Sequence, residues 1–336
     1  MKHIIGATII VIILTVLVGV LLNTLGLLPD VASLQGRYID DLFQVHTWII
    51  AFLFALIIGF MLYSIVAFRR KDGDESDADH IEGNNKLEIT WTVIPLITVL
   101  SVAAIGANTL SKVTAMDPQA LEIKVVGQQW AWRFEYPEAG VVSDVLMMPE
   151  GQQALLLMES ADVIHSFWVP EFRVKQDLVP GITTEVRITP TELGDYTVRC
   201  AEVCGLQHTN MLADVKVVTV SEFDSWLASE SAVADDPVAR GQKVYEQYGC
   251  KACHSLDGAQ LVGPTFLGSY GRTVTLEDGT TVVADENYLY QSIVDPNSQI
   301  VQGFAPAMPQ NYSEQLSDEQ ISDVIAFIKT IKPEEK

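Results

Sequence analysis

Cys200-Ala201-Glu202-Val203-Cys204-Gly205-Leu206-Gln207-His208-Thr209-Asn210-Met211 packs two thiols, an imidazole and a thioether into one short stretch. Upstream, Val163-Ile164-His165-Ser166-Phe167-Trp168 supplies a second imidazole. Soft thiolate and thioether donors beside imidazole favour copper or zinc over hard cations. Structural zinc takes four nitrogen or sulfur ligands and no weak thioether, whereas a His-Cys-Met set is an electron-transfer copper pattern. Two cysteines in place of one point to two copper ions bridged by shared thiolates. On chemical grounds, spreading charge over two metals and two sulfurs keeps the reorganisation on electron gain small. The rival reading is an extracytoplasmic disulfide between Cys200 and Cys204; the donors gathered around the pair, with Glu202 between them, favour the metal.

Further along, Cys250-Lys251-Ala252-Cys253-His254 is the C-x-x-C-H pattern of c-type haem attachment. The thiols add to the vinyl groups, and the adjacent imidazole is placed to bind iron. A sixth ligand is needed downstream, and Pro306-Ala307-Met308-Pro309 offers Met308 on a rigid loop. A His/Met pair raises the haem potential, which suits a donor feeding copper. A thioredoxin-like C-x-x-C would need a βαβ setting, and none is visible; a purely structural Met308 is the other alternative. Copper and haem then account for all four cysteines.

The rest of the chain says where these sites sit. Of 336 residues, 43 are acidic and 21 basic, for a formal net charge of -22, and 49% are hydrophobic. That composition excludes a disordered chain. It also excludes a nucleic-acid binder, because so acidic a surface repels phosphate. Residues 4–28, 47–68 and 89–110 carry no charged side chain, and each is long enough to cross a bilayer as a helix. Residues 1–30 read as a retained membrane helix or a cleaved signal peptide. Lys2 gives a basic start, but the apolar run exceeds a signal's usual ~7–15 residues. Arg69, Arg70, Lys71 and Lys86 place the 69–88 loop in the cytoplasm, with the acidic run from Asp72 to Glu82 as solvated loop. Everything after Leu110 then lies outside. Residues 40–112 are the expected transmembrane hairpin.

Outside the membrane, residues 116–228 read as β structure: LEIKVV and TTEVRITP alternate apolar and polar residues between Gly and Pro breaks. Short strands at this spacing suggest a sandwich or barrel. Residues 229–237, small and acidic, read as a linker that lets the following domain move. Residues 238–336 read as a mostly α domain, with helical patterns at VARGQKVYEQYG, ENYLYQSIV and SDEQISDVIAFIKTI. In the last, Ile321, Val324, Ile325 and Ile328 share one face. The fold class expected is a multi-domain membrane protein: N-terminal transmembrane helices, an all-β domain and an all-α domain.

The chain resembles subunit II of the haem–copper cytochrome c oxidases. The matching features are the membrane hairpin, LEITWTVIP (Leu87 to Pro95), GQQWAWRFEYP (Gly127 to Pro137), IHSFWVP (Ile164 to Pro170) and the cysteine loop, together spanning roughly residues 40–228. The resemblance implies a binuclear copper A centre in a cupredoxin domain outside the membrane. It gives His165, Cys200, Cys204, His208 and Met211 as side-chain ligands and Glu202 as a backbone-carbonyl ligand. The Glu202 carboxylate would reach a magnesium ion at the border with subunit I. Quinol oxidase relatives lack these ligands, so that branch is disfavoured. Trp130 matches the tryptophan that lies above the copper and admits the electron, and Trp132 is expected to pack. Glu88 matches a glutamate at the mouth of a proton channel, beside the plain alternative of a solvated acid. The tail resembles a class I cytochrome c domain, with Gly263-Pro264 and the closing helix to Thr330 in keeping.

What the resemblance implies is an electron-transfer subunit in the bacterial inner membrane. Electrons would pass from haem c to copper A and on to subunit I, where oxygen is reduced and protons are pumped. Subunit III, lipid, and an upstream cytochrome c or quinol–cytochrome c reductase complex are the other implied partners. A membrane-tethered carrier belonging to no oxidase is the rival in another class. Nitrous oxide reduction, which would need a large catalytic domain and no hairpin, fits poorly.

Overall fold

Three long helices open the chain: α1 (Lys2–Thr24), α2 (Leu34–Ala67) and α3 (Asn85–Val113). Each is long and apolar enough to cross a membrane. The structure, a computed structural model, describes residues 2–333 except 71, 74, 76, 78, 79, 81 and 232–235. Part of the acidic run expected in the cytoplasmic loop therefore lies outside the described residues. The chain divides into two compact units, Met1–Met116 with Pro170–Arg173, and Asp117–Val169 with Val174–Lys336.

In the first unit, α1 packs along α2 through small residues. Ala7, Val11 and Gly19 on one side and Ala51, Ala55 and Gly59 on the other are buried. A Cβ at Gly19 would overlap the Trp48 ring. Small residues let membrane helices approach closely where no hydrophobic force drives them together. Helix α2 starts well before its apolar run, at a cap where the Ser33 Oγ accepts the Gly36 amide at 2.9 Å. This polar first part is tied to residues 170–173. Arg173 donates to both Asp40 carboxylate oxygens, at 2.8 and 3.0 Å, and to the Pro29 carbonyl at 2.7 Å. The apolar runs alone could not reveal that extension, because Arg37, Asp40 and Asp41 interrupt it.

The second unit begins with ten strands: β1 (Leu121–Gln128), β2 (Ala131–Tyr136), β3 (Val141–Ser143), β4 (Leu146–Pro149), β5 (Ala154–Ser160), β6 (His165–Val169), β7 (Val174–Leu178), β8 (Thr184–Ile188), β9 (Gly194–Cys200) and β10 (Leu212–Val218). They form two five-stranded sheets, ordered β3-β2-β1-β5-β8 and β4-β10-β9-β6-β7. Strand β1 runs parallel to β5, with Val125 opposite Met158. Alternation buries Ile123 and Val125 of β1 and Ala154, Leu156 and Met158 of β5 between the sheets, as a sandwich core requires. A helix the sequence reading placed within strand and linker follows directly, α4 (Val220–Ser231). Phe223 and Trp226, three positions apart, turn together onto the Tyr136 ring with centroids at 6.1 and 5.1 Å. The expected linker is thus partly helical, and its residues 232–235 lie outside the described residues.

The tail comprises α5 (Pro237–Gln247), a hairpin of β11 (Thr273–Thr275) and β12 (Thr281–Val283), then α6 (Glu286–Val294), α7 (Tyr312–Gln315) and α8 (Asp318–Thr330). Helix α5 starts at Asp236, whose carboxylate accepts the Val238 amide. Helix α8 starts with a reciprocal Ser317–Gln320 capping box. Ile321, Val324, Ile325 and Ile328 are all buried in the core with Val244, Tyr245 and Phe327. The architecture is the one expected: membrane helices, a cupredoxin-like sandwich and a small helical domain.

Candidate metal centres

Strand pairing builds the first centre. Phe167 of β6 lies opposite Cys200 of β9, and the Ala201 amide donates to the Ser166 carbonyl at 2.9 Å. His165, which opens β6, therefore reaches the end of β9. The cysteine loop then turns back on itself, closed where the Cys200 amide donates to the Met211 carbonyl at 3.1 Å. The result gathers His165, Cys200 and Cys204 donor atoms within 4.8 Å of one another. The Cys200 and Cys204 sulfurs are 3.8 Å apart, far beyond a disulfide bond of about 2.05 Å. Cys200 Sγ lies 3.9 Å from His165 Nδ1 and 3.2 Å from the Glu202 carbonyl oxygen. Cys204 Sγ lies 3.6 Å from His208 Nδ1 and 3.7 Å from Met211 Sδ. All six sequence-nominated donors converge, and soft ligands at this spacing fit copper.

The electrostatics prepare the ligands. Asp162 Oδ1 accepts from His165 Nε2 at 2.8 Å, which puts the imidazole proton there and leaves Nδ1 for a metal. Burial opposes ionisation of Asp162, but its bonds from His165 and from the Gln129 and Val163 amides outweigh that and hold the carboxyl below its usual range. Burial also pushes the Cys200 thiol up. Hydrogen bonds from His165, the nearby backbone and His208 reverse this and bring it well below an ordinary thiol. Cys204 is pushed up by burial and by its charged neighbour Cys200. The two adjacent thiols titrate as a pair, and a metal that takes both sulfurs displaces their protons.

The two tryptophans grip the same loop. Trp130 donates its indole N–H to the Cys204 carbonyl at 3.2 Å, and Trp132 donates to the Met211 carbonyl at 3.4 Å. Trp132 also meets Phe167 edge-on at 5.9 Å. Two residues escaped the sequence reading: Asp162, and Gln129, whose amide donates to the Cys204 carbonyl at 2.6 Å. The signal for Asp162 was an acid three residues before a nominated imidazole.

The second centre lies in the helical domain. Two cavities of about 130 and about 40 Å³ share Cys253, His254, Phe266 and Met308 as lining. His254 stacks on Phe266 at 4.5 Å. Its Nδ1 sits 2.7 Å from the Pro264 carbonyl oxygen, which leaves Nε2 for iron. Burial keeps this imidazole neutral and pushes the Cys250 thiol up to about 12. Ser269 Oγ and Gln299 Oε1 are buried without a partner, and both residues line the larger cavity. Orphaned buried polar atoms beside an apolar slot flanked by two thiols and an imidazole fit a bound macrocycle with polar edges.

Glu88 is elsewhere. It stands exposed in the first turn of α3, where its carboxylate accepts the Asn84 amide at 3.3 Å.

Three protein-family models match the chain: the transmembrane domain of cytochrome c oxidase subunit II over residues 20–107, its periplasmic domain over 139–218, and cytochrome c over 238–332. Cytochrome c oxidase subunit 2 of Alkalihalophilus pseudofirmus is 31% identical, the match covering 89% of this chain and 88% of that protein. The chain belongs to the cytochrome c oxidase subunit II family. The Bacillus subtilis subunit 2 is 30% identical, with 97% and 98% covered. The crystal structure of the periplasmic domain of subunit II of cytochrome oxidase of Bradyrhizobium japonicum is 32% identical over 34% of this chain, with a TM-score of 0.32. Membership makes this an electron-transfer subunit of a haem–copper oxidase complex, membrane-anchored with its remaining domains outside. The rival of a carrier outside any oxidase falls with it. The periplasmic-domain match implies copper A, and the cytochrome c match implies haem c.

Proposed function

We propose that this subunit takes electrons at a haem c held by Cys250, Cys253, His254 and Met308. They pass through the region of Trp130 to two coppers held by His165, Cys200, Cys204, His208, Met211 and the Glu202 carbonyl, and on to subunit I. When bound, the iron and the copper pair supply one-electron chemistry. The chain's own residues do the rest. Asp162 fixes the His165 tautomer and orientation. The loop 200–211 holds the two sulfurs 3.8 Å apart, so little needs to move. Trp132 and Phe167 exclude water from the sulfur side.

A single observation carries this reading. The Cys204 carbonyl accepts from both Trp130 and Gln129, and Gln129 also lines the smaller haem-side cavity with Cys250, His254 and Met308. One loop peptide thus joins the two centres. The finer assignments follow the same reading. The exposed Glu202 carboxylate binds magnesium shared with subunit I, and Glu88 marks a proton-channel mouth. Subunit III and an upstream cytochrome c or quinol–cytochrome c reductase are partners, and α1 is retained in the mature protein.

The test is metal and haem analysis of the complex purified in mild detergent. Beyond the metals of subunit I, it should contain two coppers and one covalent haem per copy of this chain. Replacing Met308 by a non-ligating residue should shift the haem spectrum and lower its potential. A copper-free chain, or an unaltered spectrum in the Met308 variant, would refute the corresponding assignment.

A further inference from the structure

The peptide just before the haem motif is buried against the copper domain. The Tyr248 carbonyl accepts from Gln128 Nε2 at 2.8 Å and from the Tyr312 hydroxyl at 3.0 Å. One donor belongs to the sandwich and the other to the helical domain. The Arg133 guanidinium lies over the Tyr248 ring at 4.6 Å and donates to Gln128 Oε1 at 3.4 Å. Next in the chain, Gly249 has φ +77°, and a Cβ there would stand 2.7 Å from the Ala131 Cβ. Only glycine suits both the left-handed backbone and the close approach. Flanking this contact, Gln247 donates to the Val142 carbonyl at 2.6 Å, Lys251 pairs with Asp144, and Asn311 donates to the Ala161 carbonyl at 3.2 Å.

These contacts fall on both sides of Trp130. Gln128 is 2% exposed, Trp130 6% and Ala131 8%. Gln129 lines the cavity beside Cys250 and Cys253. Gln128, Gln129 and Ala131, the residues flanking Trp130, are therefore covered by the chain's own haem domain.

We propose that Tyr248–Gly249 is a docking latch, received by Gln128 and Ala131, which positions the haem domain for transfer and closes the copper domain's donor face to soluble partners. Gln128 and Gly249 are positioning residues; neither touches a reacting atom. A soluble donor can then give its electron only to the haem domain. Each step moves one electron: the donor is oxidised as the haem is reduced, and the haem is reoxidised as the copper pair is reduced. A buried glutamine amide serves this purpose because a position docked closely enough to exclude water, but too far for the Tyr248 carbonyl, leaves the amide unpaired, so partly docked positions are disfavoured. The idea rests on the haem-to-copper route proposed above.

The test uses the whole oxidase complex and a soluble, reduced c-type cytochrome as probe, with the haem and copper absorption bands followed by stopped flow. In the unaltered protein, copper reduction should trail haem reduction at a rate that becomes independent of probe concentration. Gln128→Leu should leave both bands unchanged and slow the internal step by about tenfold or more, as misplacement of reacting partners does. It should also add a copper-reduction phase proportional to probe concentration. Asn311→Leu, which removes the separate Asn311–Ala161 contact, gives the same readout if Gln128→Leu does not assemble. Direct, concentration-proportional copper reduction in the unaltered protein would overturn the closed face. An unchanged internal rate in the assembled variant would overturn the latch. Failure of the underlying route looks different: one of the two bands would be missing from the start.

Discussion

At the residue scale, the donor set was legible because soft ligands are rare and their clustering is specific. Cys200, Cys204, His208 and Met211 sit on one loop, and His165 is brought to them by the β6–β9 pairing. Asp162 was not legible, since an exposed-looking acid in a loop has no distinguishing pattern until its carboxylate is seen between His165 and the Gln129 amide. Its role yields a prediction. Asp162→Asn removes a negative charge and the anchor of the imidazole, so copper affinity should fall about 10–100-fold. The copper potential should rise, because the oxidised form loses a stabilising anion. Chelator competition and spectroelectrochemistry measure the two; no change in either would show that the carboxylate is only packing. The thiols give a second prediction. Burial and the neighbouring Cys200 charge push the Cys204 thiol up, so copper must displace a proton from the pair. Copper should therefore bind more tightly as pH rises, by about tenfold per pH unit for each proton displaced. Affinity that stays flat between pH 6 and pH 8 would contradict proton release from the thiol pair.

At the element scale, periodicity located α5, α6 and α8, because each presents one apolar stripe. It missed α4 and the β11–β12 hairpin for opposite reasons. Helix α4 packs its two aromatics on the Tyr136 ring and fills most other positions with polar residues, so its stripe is too narrow to register. The hairpin packs mainly through Val274 of β11 and the adjoining Leu276 and Ala284, a satellite core of three buried residues. The contact between α5 and α8 is tight enough to test. A Cβ at Gly241 would overlap the Asp323 carbonyl oxygen, and backbone cannot yield as a side chain can. Gly241→Ala should destabilise the haem domain by about 1–3 kcal/mol. Denaturant unfolding followed by haem absorbance measures this, and full stability in the variant would mean that the helices can separate freely. In the membrane unit, Gly19→Leu should likewise drive α1 off the Trp48 ring. The expected result is a lower temperature of complex dissociation in detergent; no shift would mean that α1 and α2 do not need their close packing.

At the scale of the whole molecule, the order of parts was legible, but how the last two parts meet was not. A small acidic linker suggested a domain free to swing. The surface on which that domain rests is made of groups that look unremarkable in sequence: two glutamines, a tyrosine carbonyl and a glycine. None of them belongs to a periodic face, and a hydrogen bond to a backbone carbonyl leaves no mark in composition. If the donor face is covered by the chain's own domain, an upstream carrier must dock on the haem domain, and long-range charge then decides how fast it arrives. The chain carries 43 acidic against 21 basic side chains, so a basic soluble donor should be steered toward it. Such steering raises association rates by about 10–10³-fold at low salt. It fades as the Debye length shrinks from ~10 Å at 0.1 M to ~3 Å at 1 M. The second-order rate of haem reduction should therefore fall steeply across that range, while the internal haem-to-copper rate, between domains held by buried contacts, should barely change. Stopped flow at graded ionic strength separates the two. A salt-independent first step would remove charge from the account of donor capture, and a salt-sensitive second step would mean that the two domains part between turnovers.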